Sequence, residues 1–130
     1  MNILALDPGV TTGVAMKSEI GYHTLEVRDT KQLWLMVSCG SWDQVIVENF
    51  VAQDIYKYGL HTVRLIGNIE ALCWARKIPF TTQQNVQRLP YKDRALTLLK
   101  AIHEGKKPPR DHELDSPAHI LCWEANHAVT

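Results

Sequence analysis

The chain opens Met1-Asn-Ile-Leu-Ala-Leu-Asp7-Pro-Gly-Val-Thr-Thr-Gly13, a segment with the marks of a central strand and the turn after it. Ile3, Leu4, Ala5 and Leu6 make an apolar run of strand length, stopped by the turn pair Pro8-Gly9. Asp7 therefore falls at the carboxyl end of a buried strand, where α/β sheets gather their chemistry. A carboxylate in that position is poorly solvated unless a cation or a hydrogen-bond donor meets it. Alone, Asp7 is better explained as a turn opener whose side chain accepts an N–H two residues on. What separates the two readings is a second carboxylate of the same kind. Gln44-Val-Ile-Val-Glu48 repeats the pattern, a β-branched run closed by an acid.

Between these two runs, Gly13 to Lys17 and Tyr22 to Val27 read as strands joined around Glu19-Ile-Gly21. Their connections are too short for crossovers, so they form an antiparallel meander with the first strand. Asp29-Thr30 caps a helix through about Val37, with Leu33, Met36 and Val37 on one face and Cys39-Gly40-Ser41 after it. A strand that follows such a helix lies parallel to the first. Asp7 and Glu48 then close neighbouring strands.

Beyond Glu48, a helix is expected from about His61 to Lys77, with Val63, Ile66, Ile69, Leu72 and Cys73 inward. Ile78 to Thr82 reads as a short strand with Pro79 at its start or on an edge, and Gln83 to Pro90 as polar and irregular. Tyr91 to Glu104 has a helical face of Ala95, Leu98, Leu99 and Ile102. Lys106 to Arg110 is an extended basic loop, and a last helix runs to about Ala128 on a stripe of Leu114, Ala118, Leu121 and Ala125. The expected fold class is α/β: a mixed five-stranded sheet, three antiparallel strands then parallel ones, flanked by helices, in a single domain spanning 1–130.

At 130 residues and 45% hydrophobic content the chain can build a core without staples. The cysteines, Cys39, Cys73 and Cys122, form no CxxC pair, which excludes a disulfide framework or a zinc knuckle as the organising element. No apolar run has the length of a membrane span, and a soluble cytoplasmic protein is expected, in a bacterium or in the host of a phage. Lys plus Arg and Asp plus Glu each number 14, so the net charge is zero. That balance argues against tight nonspecific DNA binding.

Two carboxylates at adjacent strand ends raise one another's pKa unless a cation lies between them, and a hard divalent ion is the natural occupant. A third polar group is His112-Glu-Leu-Asp115, at the start of the last helix. Positions three apart share a helix face, so His112 and Asp115 point together. Pro117 agrees with a helix beginning here, since proline suits a first turn. Singly, Asp115 is also an ordinary cap and His112 a solvated loop residue. Jointly, Asp7, Glu48, His112 and Asp115 are donors enough for a site holding two metal ions.

These residues carry a resemblance. Leu4-Ala-Leu-Asp7-Pro-Gly9 with Thr12-Gly13, Val45-Ile-Val-Glu48 and His112-x-x-Asp115 resemble the acidic motifs of RuvC-type Holliday junction resolvases, in the RNase H-like superfamily. The order of elements agrees over essentially the whole chain, which is short for the family, as phage-encoded versions tend to be. The resemblance implies an RNase H-like fold and a homodimer that cuts four-way DNA junctions with Mg²⁺ or Mn²⁺, leaving 5′ phosphates. It implies that Asp7, Glu48, His112 and Asp115 bind two ions. His119, four residues past Asp115, is then either a ligand or the residue that orients one; an idle surface histidine is the plainer alternative.

The family often places a stacking aromatic three residues after the second acid, where this chain has Val51 beside Phe50. Phe50, Tyr56 and Tyr58 are the candidates for stacking on DNA, with loop packing as the other explanation. Arg88, Lys92 and Arg94 suit phosphates, as do Lys106, Lys107 and Arg110 just before His112, and a solvated surface accounts for them too. Trp34, Trp42, Trp74 and Trp123 read as core or dimer interface, Trp74 above all. Branched DNA, including forks and flaps, is the expected partner. Rival readings are a nuclease of RNA–DNA hybrids and a non-catalytic DNA-binding or assembly protein of this fold. An actin-like phosphotransferase shares the Asp-Pro-Gly-Val-Thr-Thr-Gly stretch but needs two large domains around its nucleotide.

Overall fold

The computed structural model describes the chain except residues 50–54, 103–110 and 128–130, and describes only the backbone at 55–58 and 111–114. Its sheet contains β1 (Ile3–Asp7), β2 (Thr12–Ser18), β3 (Gly21–Val27), β4 (Gln44–Asn49) and β5 (Phe80–Gln84), in the order β3-β2-β1-β4-β5. β1 pairs antiparallel with β2 from Ile3↔Lys17 to Asp7↔Gly13, and β2 antiparallel with β3. β1 and β4 are parallel, as are β4 and β5. The expected mixed five-stranded sheet is the one observed.

Strand residues alternate between faces, and each face has its own cover. Leu4, Leu6, Val14, Val45 and Val47 point to the side of α1 (Thr30–Cys39) and α2 (Ile55–Ala75). They meet Leu33 and Val37 of α1 and Leu65, Ile66, Ile69, Leu72 and Cys73 of α2. Ile3, Ala5, Ala15 and Ile46 point the other way, against Ile120 of α5 (Asp111–Asn126). α4 (Lys92–Ile102) packs behind α5 through Ala95, Leu99 and Ala118. Asp7 continues the series Ile3, Ala5, and Glu48 follows Ile46, so both acids belong to the α5 face.

α1 starts where its cap predicts: the Asp29 side chain accepts from Lys31 N at 2.9 Å. It ends at Gly40, where an added Cβ would lie 2.1 Å from the Trp42 ring nitrogen. That close approach lets the Trp42 indole donate to the Met36 carbonyl at 3.0 Å. Among the described residues, no helix is long and apolar enough to cross a membrane.

Several boundaries differ from the sequence reading. α2 already begins at Ile55, interrupted by Gly59 at φ 76° and ψ 168°. Its buried stripe is completed by Thr62, which hydropathy does not flag, and Val63 turns outward at 36% exposure. β5 is displaced two residues toward the C-terminus, because its parallel pairing sets Glu48 against Gln83 and Asn49 against Gln84. The stretch expected to be irregular thus supplies strand, then the single turn α3 (Asn85–Arg88) and a 3-10 turn, Leu89–Tyr91. Pro90 sits in that 3-10 turn, ahead of α4, where Ile102 is exposed rather than inward. In α5, Ala125 is exposed while Ser116 to Ile120 are all buried. A helix held between a sheet and a second helix buries more than one stripe, and the expected stripe followed the α4 side. Pro117 is the seventh residue of α5, past the first turn that its sequence context suggested.

Candidate active site

The parallel register places Leu6 beside Val47, and one residue further along both strands stand Asp7 and Glu48. The Ser116 hydroxyl donates to the Gly13 carbonyl at 2.8 Å, and Gly13 is the β2 partner of Asp7. This bond ties the first turns of α5 to the end of β1 and brings Asp115 to the two strand acids. Asp7, Glu48 and Asp115 are close enough to perturb one another. The Asp7 carboxyl, ordinarily at 3.8, is pushed up to about 9 by burial first, then by its hydrogen bond to Glu48 and the negative charges of Glu48 and Asp115, against the pull of Arg88. Burial works to raise Glu48 as well, but hydrogen bonds from His119 and Asp7, with the charges of His119 and Arg88, outweigh it and hold Glu48 at about 2. Asp7 and Glu48 thus share a proton, neutral on Asp7 and ionised on Glu48. Asp115 is raised, chiefly by burial and by Glu48, with Arg88 and Lys92 opposing.

His119 is fully buried, which overturns the idle-surface explanation. Its Nε2 lies 3.1 Å from Glu48 Oε1 and its Nδ1 2.6 Å from Gln83 Oε1. The Glu48 carboxylate can only accept, so Nε2–H donates to it, while Gln83 holds the other ring nitrogen. The sequence reading gave Gln83 no place beside Glu48. Its signal was parity: one strand position across from Glu48, it must face α5 with it.

Arg88 is the larger surprise. Expected to be a surface contact for phosphate, it is buried, with Nε donating to Glu48 Oε1 at 3.0 Å and Nη2 ion-paired with Asp115 Oδ2 at 3.2 Å. The single turn of α3, in which Gln87 Oε1 accepts from Gln84 N at 2.7 Å, ends at Arg88 and directs it inward. Lys92 is half-buried and acts on Asp115 through its charge. Arg94 is elsewhere: it lines an open groove of about 880 Å³ with Lys17, Tyr22 and Glu124. Lys17 pairs with Ile3, at the opposite end of β1 from Asp7. Arg94 is thereby removed from the carboxylates. The side chains of His112, Tyr56 and Tyr58 lie outside the described residues, as do Phe50, Lys106, Lys107 and Arg110 altogether.

The chemistry of this cluster suits a hard cation. Its donors are carboxylate oxygens that repel each other, and Asp115 Oδ1 is buried without a hydrogen-bond partner among the described residues. Yet among the described residues no three His, Cys, Asp or Glu side chains stand in metal-holding geometry. Arg88 lies among them instead.

No family model and no curated protein matches this sequence. Solved structures do. RuvC of T. thermophilus in complex with a Holliday junction substrate superposes with a TM-score of 0.71 at 16% identity, covering 98% of this chain and 96% of that one. The fold is that of RuvC. A second Thermus thermophilus RuvC structure agrees, with a TM-score of 0.67 at 16% identity over 97% of this chain and 96% of the other. The shared fold is one of three antiparallel strands, a crossover to a parallel strand, and a last helix packed on one face of the sheet.

Proposed function

We propose that this protein is a divalent-metal-dependent endonuclease that resolves four-way DNA junctions, and other branched DNA, as a homodimer. The observation that carries the reading is the convergence of Asp7, Glu48 and Asp115 at the ends of β1, β4 and α5 within a RuvC fold. Asp7, Glu48 and Asp115, together with His112, would hold two Mg²⁺ or Mn²⁺ ions. Such ions, when bound, supply an acidified attacking water and stabilise the departing 3′ oxygen, so that a 5′ phosphate remains. The chain's own residues do the rest. Asp7, in its ionised form, would be one of the ligands. His119, itself locked by Gln83, fixes the rotamer of Glu48 by donating to Oε1. Lys92 offers a positive charge beside Asp115 for a phosphate of the substrate. Lys106, Lys107 and Arg110 precede the same helix and suit the DNA backbone, with Phe50, Tyr56 and Tyr58 as candidates to stack on unpaired bases.

Resolution needs two nicks related by symmetry, which an isologous dimer supplies. α2 presents the surface for it. Trp74 is 85% exposed, beside a hollow bounded by Gly67, Glu70, Ala71, Ile78 and Phe80. A large exposed aromatic at the rim of an apolar hollow is what a self-complementary interface buries.

The test is cleavage of a labelled synthetic four-way junction and a matched linear duplex, with Mg²⁺, with Mn²⁺ and with chelator, by wild type and Asp7→Asn. Paired nicks near the crossover that need both metal and Asp7 are expected. Cutting of flaps, forks or RNA–DNA hybrids with the junction spared would keep the chemistry and replace the substrate. Junction binding with no cutting of any substrate would sink the catalytic reading in favour of an assembly role.

A further inference from the structure

A metal site made of carboxylates ordinarily contains nothing positive until its ion arrives. Here the guanidinium of Arg88 is already inside, with a side chain only 10% exposed. Two of its nitrogens reach carboxylates from two different elements, Glu48 on β4 at 3.0 Å and Asp115 on α5 at 3.2 Å. The third, Nη1, is buried and has no acceptor among the described residues. Arginine is charged at any pH a protein experiences, so this contact is a permanent ion pair rather than one that titrates away.

The partners of Arg88 are two of the residues assigned above to the ions. A carboxylate oxygen that accepts from a guanidinium directs that lone pair away from a metal. A divalent ion placed a few ångströms from the same guanidinium is also repelled by it, the more strongly because water is excluded. Glu48 and Asp115 are arranged around a planar fork rather than around a point.

We propose that Arg88 is the resident counter-ion of the ion-free site, an internal competitor that holds Glu48 and Asp115 together until divalent ions displace it. This rests on the metal-dependent reading of the site and adds a residue to it. Arg88 is a positioning residue in the empty protein and an obstacle to loading. The arrangement keeps buried acids neutralised while no ion is bound, and sets the apparent metal affinity below what the carboxylates would otherwise reach. α3, the anchor of Arg88, is a single turn lying between β5 and a 3-10 turn, so the side chain can withdraw without a rearrangement of the sheet.

The experiment is Mn²⁺ binding to the full chain without DNA, read from the spin-resonance signal of free Mn²⁺, for wild type, Arg88→Gln, Arg88→Lys and Asp7→Asn. Arg88→Gln is expected to bind Mn²⁺ about tenfold more tightly than wild type, with Arg88→Lys in between. Millimolar guanidinium should weaken Mn²⁺ binding to Arg88→Gln beyond the effect of equal NaCl, and do so far less in wild type. A merely structural arginine gives neither the tightening nor that competition. Equal or weaker Mn²⁺ affinity in a folded Arg88→Gln overturns the proposal while leaving the metal site intact. Should Arg88→Gln not fold, equal or weaker affinity in Arg88→Lys overturns it. If neither wild type nor any Arg88 variant binds Mn²⁺, both the competitor and the metal-dependent reading are wrong, and binding that survives Asp7→Asn unchanged puts the ion elsewhere.

Discussion

The proton shared by Asp7 and Glu48 makes the stability of the ion-free protein depend on pH in a defined direction. Asp7 rises from 3.8 to about 9, so the folded chain keeps a proton at neutrality that the unfolded chain has released. Its contribution to stability is complete below about pH 4 and is lost as pH climbs toward 9. Glu48, lowered from 4.5 to about 2, contributes above 4.5 and loses that contribution as pH falls toward 2. Between these windows the Asp7 slope operates, and thermal melts in chelator should show wild type losing stability from pH 5 to pH 8. Asp7→Asn should flatten that slope and leave the ion-free protein more stable than wild type at pH 8, by about 2 kcal/mol. Parallel curves for the two proteins would mean that Asp7 carries no such proton. His119 belongs to the same scale. Contacts on both ring nitrogens determine which way Glu48 points, a matter invisible at the level of residue spacing.

Among the elements, the strands were legible because their signal is local: apolar runs, alternation and turn residues are written in consecutive positions. The helices were less so wherever a break or a second contact surface intervened. Gly59 splits α2 by taking φ 76°, a region that side chains with a Cβ enter at a cost. A Cβ added there meets nothing within 4 Å, so the cost of Gly59→Ala is backbone strain without a clash. Denaturant melts should show a loss of about 1 kcal/mol, and no change would mean that the break is not held in the folded chain. β5 shows the reverse limitation. Its polar residues Gln83 and Gln84 have weak strand propensity and are strand because β4 pairs with them. α5 shows a third. Between the sheet and α4 it buries Ser116, Pro117 and His119 along with its apolar residues, and a single-stripe reading sees only half of that.

At the scale of the molecule, zero net charge means that the proposed binding of junctions would fall to local groups rather than to a basic surface. Binding to a junction should accordingly be weak and sensitive to salt. The four tryptophans differ in burial. Trp42 and Trp123 are half-buried against the core, whereas Trp34 and Trp74 are exposed at 46% and 85%. If α2 forms the two-fold interface, Trp74→Ser should weaken the dimer by at least about tenfold in sedimentation equilibrium and leave the melting of the monomer nearly unchanged. Junction cleavage by that variant should fall to single, unpaired nicks. A dimer unaffected by Trp74→Ser would place the interface on another face.

Local pattern in the chain was enough for the order of the strands, the mixed sheet and the position of Asp7 and Glu48 at neighbouring strand ends. Each follows from short-range periodicity, turn chemistry and the handedness of a crossover, and none needs knowledge of what packs on what. The tertiary structure alone decided that Gln83 and His119 face Glu48, that Arg94 stands at the far end of the sheet, and that Arg88 turns inward to bridge two carboxylates. Those outcomes depend on which face of β5 and α5 is covered, and on a three-way electrostatic balance among residues 40 and 27 positions apart from Arg88. An arginine seen as one letter in a polar stretch carries no trace of the buried acids that will hold it. Only folding brings them within 3.2 Å.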